Sequence, residues 1–431
     1  MIWVWIVAAV TISWLFCRKN INWQHYIWLL LPIEMYGISI AGATIKPYMI
    51  FGVVIILSNI IKGRSIQLPK TIIIIVMLLF LSDIVTGWIM ASVMQHLMFV
   101  LVLVIAYNYL YSQDNNVDFD SISTVTIATT IGYGLIFVLA YISVQYGFKI
   151  PDVYTTDRYS TGMVVQSILT GVENTETIRL RGFCIDPNAV IIALIPGAGF
   201  GLANIFYRKK QIMKSILAVV LFFLTVSFSG SRMAVICSLF MLVVMFIIGY
   251  RQSENKSIWL KTGIVGLLAI AVLIALNRGK IFADIVYELE VFFGARASLT
   301  DNAGRFTIWK NNLDYLIENN RLLIGVGQNQ IGKITIQGKD CHNTWLEWVC
   351  GTGLIIGLFM SFYFLLAPKS FSKKVKKNPL LYNQGFLPTM LAYIITLICI
   401  TTVDNITNAV LLIIAVMFRY GIPEKKEDNL A

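Results

Sequence analysis

Only three histidines occur in the 431 residues, and one of them, His342, stands in the stretch KDCHNTWLEW (339–348) between Asp340 and Asn343. A histidine can take a proton from a hydroxyl near neutral pH, which suits a general base. Asp340 is placed to orient the imidazole, and Asn343 with Thr344 can cap a helix that follows. The plain alternative is a capping or interfacial histidine with no chemistry. His25 and His96 have no comparable polar company in the sequence, although His96 falls near a helix end.

Arginines recur beside predicted helix starts. In RLRGFCIDPNAV (179–190), Asp186 suits a helix cap and Pro187 a first turn, and Arg179 and Arg181 sit just outside that helix. In FSGSRMAV (228–235), Gly230 and Ser231 make a tight turn and Arg232 begins the next helix. In NAGRFTIW (302–309), Arg305 opens an amphipathic helix. A guanidinium at a helix N-terminus opposes the macrodipole, so it implies an anion bound there, and a diphosphate accounts for all three sites. Arginines snorkelling to lipid headgroups are the alternative. The sequence has no HExxH, no DxD at a loop tip and no closely paired carboxylates. Metal-independent chemistry without a cofactor is expected, with arginines in the place of a divalent cation.

The elements that must position these residues are membrane helices. Hydrophobic residues make up 57% of the chain and charged ones 13%, with mean hydropathy +0.75. Apolar runs of roughly 18 residues or more recur throughout. The expected fold is an all-α polytopic integral membrane protein of about 12–13 spans. The spans are read near 2–17, 24–42, 47–61, 71–90, 92–111, 121–146, 188–206, 214–229, 232–249, 258–276, 344–366, 385–403 and 405–420. The opening segment reads as a first span rather than a cleavable signal. The net charge of +11 marks cytoplasmic loops and does not point to nucleic acid.

Basic loops at 62–70, 207–214, 251–256, 369–377 and 423–428 alternate with the others, which gives one orientation. The opposite face carries two long loops, 147–187 and 277–343. The chain thus divides into N-terminal spans (1–146), a first outer loop (147–187), central spans (188–276), a large outer loop with amphipathic helices (277–343) and C-terminal spans with a cytoplasmic tail (344–431). Within the large loop, 281–295 puts apolar residues on one helical face. The helix over 300–320 has a predicted stripe of Phe306, Trp309, Leu313, Leu316 and Ile317.

RGFCIDPN, SGSR, GRFTIW and HNTWLEWVCGTGLIIG (342–357), in this order and on one side of the membrane, resemble the O-antigen ligase/polymerase superfamily of bacterial envelope glycosyltransferases. In the last motif the His–Asn pair is followed by TWLEWVCGT and then Gly353; the second glycine of the family pattern is Ile356 here, with Gly357 one place late. The resemblance implies a GT-C-like enzyme on the outer face of the inner membrane, facing the periplasm, with an undecaprenyl-diphosphate-linked glycan as donor. Arg232 and Arg305 would grip the diphosphate with Arg181 or Arg179 in support, and His342 would deprotonate the acceptor sugar. Two outcomes fit: polymerisation of repeat units, or ligation of finished polymer to lipid A–core. Arg321, ten residues and Gly332 match a spacing of some O-antigen polymerases, and the resemblance favours polymerase because DPN-containing members without further domains are more similar to capsule and O-antigen polymerases. A flippase and a chain-length regulator of the same pathway are the expected protein partners.

A transporter or flippase for lipid-linked sugars is the reading from a different class. It would need a midplane charged site, for which Glu34, Asp83 and Asp404 are the scattered candidates. Finally, Cys184 and Cys341 both fall in predicted outer loops, where an oxidising compartment permits a disulfide.

Overall fold

The computed structural model describes residues 2–17, 21–40, 43–66, 68–114, 116–148, 150, 153–156, 162–169, 175–184, 186–231, 234, 237–238, 241–243, 246–247, 250, 257, 305–328, 330–334, 341, 343–367, 370 and 409–423. The apolar runs among them are helices: α1 (Ile2–Phe16), the short α2 (Ile27–Leu30), α3 (Pro47–Ile61), α4 (Lys70–Val85), α5 (Met90–Tyr111), α6 (Phe119–Gln145), α7 (Pro187–Ala203) and α8 (Ile212–Ser229). After these come α9 (Arg305–Glu318), α10 (Ile331–Ile334), α11 (Thr344–Thr352), α12 (Leu354–Leu365) and α13 (Ala409–Tyr420). Among the described residues, four helices are long and apolar enough to cross a membrane: Met90–Tyr111, Phe119–Gln145, Pro187–Phe206 and Ile212–Ser229. The protein is a multi-pass, all-α membrane protein.

The burial pattern is that of a bundle in lipid. α4 turns Ile73, Ile74, Met77, Phe80, Leu81 and Ile84 outward and Ile72, Ile75, Leu79, Ser82 and Asp83 inward. Apolar side chains outside and a mixed interior follow from a solvent that is itself hydrocarbon. α6 is the central helix, packed on α1, α7 and α8. Small residues allow the approach: a Cβ on Gly132 would stand 2.6 Å from the Ala9 carbonyl oxygen, and one on Gly197 2.3 Å from that of Thr126. Close backbone contact of this kind is how membrane helices associate without a hydrophobic driving force.

The two ends of the bundle differ chemically. One end gathers Arg64 on the Tyr111 and Ser112 carbonyls, Arg208 and Lys210 on Asp120, and Lys214 on the Phe16 carbonyl. Tyr420, which meets Thr71 and Tyr363, lies there too, beside the short parallel pair of β3 (Asn116–Val117) and β7 (Ile422–Pro423). The opposite end carries the caps of α7 and α11 and a three-stranded sheet from the first long loop, in which β5 (Val164–Leu169) pairs antiparallel with β6 (Thr175–Leu180) and parallel with β4 (Tyr154–Thr155).

Two predicted spans differ. The run read as 24–42 is a single 3-10 turn (Trp23–Tyr26) and α2, after which the chain turns at Pro32 into a hairpin of β1 (Ile38–Ile40) and β2 (Ala43–Ile45). Glu34 and Met35 donate their backbone N–H groups to the Phe183 carbonyl at 3.2 and 2.9 Å. Glu34 therefore belongs to the sheet-bearing end, beside the RGFC loop, and Asp83 is in the last turn of α4; neither forms a midplane site. The run read as 344–366 is broken at Gly353, where φ is +85° and ψ 166°. The predicted helix 281–295, the spans 258–276 and 385–403, most of 232–249, and Asp404 lie outside the described residues.

Candidate functional site

The RLRG and SGSR motifs, fifty residues apart, meet at one end of the bundle. Asp186 caps α7 as predicted, its Oδ1 accepting the Asn188 backbone N–H at 2.7 Å, with Pro187 in the first turn. Asp186 Oδ1 also accepts from Asn188 Nδ2 at 2.6 Å, which fixes the amide so that Asn188 Oδ1 accepts the Ser231 hydroxyl proton at 2.5 Å. The same Ser231 oxygen accepts the Ala234 N–H at 3.2 Å. Ser231 is thus the N-cap of the helix after it, and its hydroxyl is oriented by a residue of the DPN motif. Gly230, at φ +57°, ends α8 in the left-handed conformation.

Arg179 closes this junction. Its Nε donates to the Ser229 carbonyl at 2.9 Å and an Nη to the Gly230 carbonyl at 3.4 Å. A cation on the terminal carbonyls of α8 is favoured by the macrodipole. Arg181 is fully buried, not turned to headgroups; its Nε donates to the Gly162 carbonyl at 2.8 Å and its backbone N–H to that of Met163 at 2.9 Å. Arg179 therefore pins β6 to the SGSR turn, and Arg181, just past β6, pins its end to the residues that lead into β5. Arg232 lies outside the described residues, one position past Ser231.

The second group surrounds His342. His342 and Asp340 lie outside the described residues, but the residues on both sides of the histidine are held. Asn343 caps α11, its Oδ1 accepting from the Trp345 and Leu346 N–H groups at 3.0 and 3.1 Å. Cys341 is engaged at every polar atom. Its N–H donates to Glu347 Oε2 at 2.9 Å, and its carbonyl accepts from Trp309 Nε1 at 2.6 Å. Its sulfur accepts from Asn312 Nδ2 at 3.2 Å and touches the Cys350 sulfur at 3.6 Å. Glu347 is fully buried. The Cys350 thiol and burial hold the Cys341 thiol well above the ordinary range, so it stays neutral.

Sequence reasoning missed Glu347, Asn312 and Cys350 as supports of the His342 segment. The inward face of α9 is Ile308, Asn312 and Leu316, with Trp309 half-buried and Ile317 exposed. The predicted stripe was therefore turned by part of a residue step, because a buried amide, Asn312, replaces an apolar group where it meets Cys341. α9 is described from Arg305, whose side chain lies outside the described positions. Arg321 ends the turn after α9 and is exposed; its carbonyl accepts from the Gly325 N–H at 2.7 Å.

Two further expectations change. Cys184 and Cys341 are free thiols, the former packed against the Pro32 carbonyl at 3.6 Å and the latter against Cys350. His96 does have polar company, with Nδ1 2.9 Å from both carboxylate oxygens of Asp83. His25 has a partner as well, the Tyr109 hydroxyl at 2.8 Å.

Residues 217–361 match the family whose model is described as O-Antigen ligase. The matched segment contains Arg232, Arg305, Arg321 and His342, whereas Arg179 and Arg181 precede it. Comparison with curated proteins returns no match. The family match supports the likeness to the O-antigen ligase/polymerase superfamily.

Proposed function

We propose that the chain is a glycosyltransferase that polymerises undecaprenyl-diphosphate-linked repeat units into an O-antigen or capsular-type polysaccharide, at the outer face of the bacterial inner membrane. Arg232 and Arg305 grip the diphosphate of the donor. Arg179 and Arg181 support them, Arg179 by bracing the turn that carries Arg232. His342, oriented by Asp340, takes the proton from an acceptor sugar hydroxyl. The acceptor oxygen attacks the anomeric carbon in line, and the bond to the diphosphate oxygen breaks with its electron pair, the negative charge being met by the guanidinium groups. Asn343 starts α11 beside the base, and Arg321 supports the turn before it. No metal or cofactor takes part.

One observation carries the reading. The segment around His342 is held on both sides, by the four contacts of Cys341 and by the Asn343 cap, within the stretch that matches the O-antigen ligase family. A base must be held to within fractions of an ångström, and such bracketing supplies that. The description of the matched family favours a second reading, transfer of finished polymer to lipid A–core.

The test is transfer in vitro with purified protein, an undecaprenyl-diphosphate-linked repeat unit and no added metal, the products resolved on a gel. A ladder of longer lipid-linked glycans establishes the polymerase. Transfer only after addition of lipid A–core establishes the ligase, and silence in both returns the chain to the transporter class.

A further inference from the structure

We propose that Asp83, Ser92 and His96 form a positioning unit for α11, the helix that follows His342. None of the three belongs to the motifs above, and all are buried at the end of the bundle that bears the α11 cap. The His96 ring presents Nδ1 to Asp83 at 2.9 Å. Facing a carboxylate, Nδ1 carries the proton. Its Nε2 is buried without a partner among the described residues, so the ring acts on its surroundings through Asp83. Asp83 Oδ1 also accepts the Ser92 hydroxyl proton at 2.9 Å. With its proton committed to Asp83, the Ser92 oxygen turns its lone pairs to the loop and accepts the Gln328 N–H at 3.0 Å.

That N–H is the third of three in a row with defined acceptors. The Val326 and Gly327 N–H groups donate to the Cys350 and Gly351 carbonyls, each at 2.9 Å. These carbonyls belong to the last turn of α11 and have no acceptor role within the broken helix beyond Gly353. The loop therefore caps the C-terminal end of α11 while Ser92 anchors the loop to α5. Phe99, further along α5, packs edge-on against Trp348 of α11 at 5.3 Å, so α5 and α11 are in register at a second point. The relay runs from His96 to Asp83, to Ser92, to the Gln328 backbone, to the end of α11, and along that helix to Asn343. An intramembrane ionisable pair is costly, and here it serves to hold one hydroxyl in one orientation.

The consequence for turnover rests on the transferase reading; the consequence for α11 does not. The experiment measures backbone amide exchange and lipid-linked glycan transfer together, on the purified full chain in detergent. The variants are Ser92→Ala, His96→Ala and His96→Gln. Loss of roughly one hydrogen bond should speed exchange of 325–328 and 344–352 about tenfold in Ser92→Ala and His96→Ala, with α6 unchanged. Their kcat should fall by a similar factor, with the KM for donor within about twofold of the parent. His96→Gln retains an N–H for Asp83 and should recover most of both. Unaltered exchange of both segments in folded Ser92→Ala overturns the proposal. So does faster exchange spread equally into α6, or faster exchange of α11 with unchanged kcat. If the parent protein transfers no glycan, the exchange results still decide the positioning of α11, and only the transferase reading falls.

Discussion

The Arg179 guanidinium donates to the carbonyl of Ser229, fifty residues away, at 2.9 Å. It thereby ties strand β6 to the last turn of α8 and to the turn from which Arg232 departs. Arg179→Ala removes two donors from that helix end and leaves its carbonyls without a cation, at a loss of about 1–2 kcal/mol. Arg179→Lys keeps a charge but not the forked geometry and should fall between. The expected outcome is a lower melting temperature in detergent for Arg179→Ala, together with a raised KM for the lipid-linked donor. An unchanged KM in a folded variant would reduce Arg179 to a cap.

At His342 the expected outcome is loss of transfer with retention of the protein. His342→Ala should insert in the membrane, melt like the parent and form no glycan product. Asn343→Ala tests the neighbouring support. Removal of an N-cap costs about 1 kcal/mol, so this variant should melt lower and keep part of its activity. If His342→Ala gives the parent glycan pattern, the histidine is a structural residue.

Arg232→Lys separates charge from geometry. A lysine keeps the positive charge but binds phosphate oxygen as a point rather than as a fork. Transfer by Arg232→Lys should be reduced by at least about tenfold, the effect of one lost charge-assisted hydrogen bond in the transition state. Parent-like turnover would move the diphosphate grip elsewhere.

What the sequence reveals of this site is what depends on near neighbours. Asp186 as a cap, Pro187 in a first turn, Gly230 as a helix end and Asn343 as a cap are each decided within three residues along the chain, and all are legible. The break at Gly353 is not, because it interrupts an unbroken apolar run and arises from a loop thirty residues earlier. Asp83 and His96 stand on different helices, so no helical spacing links them, and they meet only because α4 and α5 form an antiparallel pair through the turn at 86–89. Asn312 is polar at a buried position, where its amide donates to the Cys341 sulfur. Periodicity locates an inward face by counting apolar residues, and it turns the stripe when one of the inward groups is an amide.

Gly353 is the position where backbone conformation itself is required. At φ +85° and ψ 166° it occupies a region that is nearly restricted to glycine, and an added Cβ would lie 2.1 Å from the Leu323 carbonyl oxygen. Gly353→Ala should therefore lose about 1–3 kcal/mol from the dihedral angles alone, and more from the clash. Gly63→Ala is the control, with a positive φ of +74° but nothing within 4 Å of the added carbon. The expected order of melting temperatures is parent, Gly63→Ala, Gly353→Ala. Equal melting of the two variants would show that the loop at Leu323 yields freely, and α11 would then lack a fixed C-terminal end.

The cysteines give a last expectation, about which thiols are neighbours. Cys184 packs on the Pro32 carbonyl and Cys341 on Cys350, so these thiols sit in separate environments. Burial pushes the Cys184 thiol up, and the Cys350 thiol and burial do the same for Cys341, so neither is ionised or reactive near neutral pH. Alkylation of the folded protein should leave both unmodified, and alkylation after unfolding without reductant should modify both. Peptide mapping should find no link between Cys184 and Cys341. A linked peptide joining them would place the RGFC loop against the His342 segment and contradict the packing of Cys184 on Pro32. A Cys341–Cys350 link would likewise contradict the two free thiols, whose sulfurs are in contact at 3.6 Å without a bond.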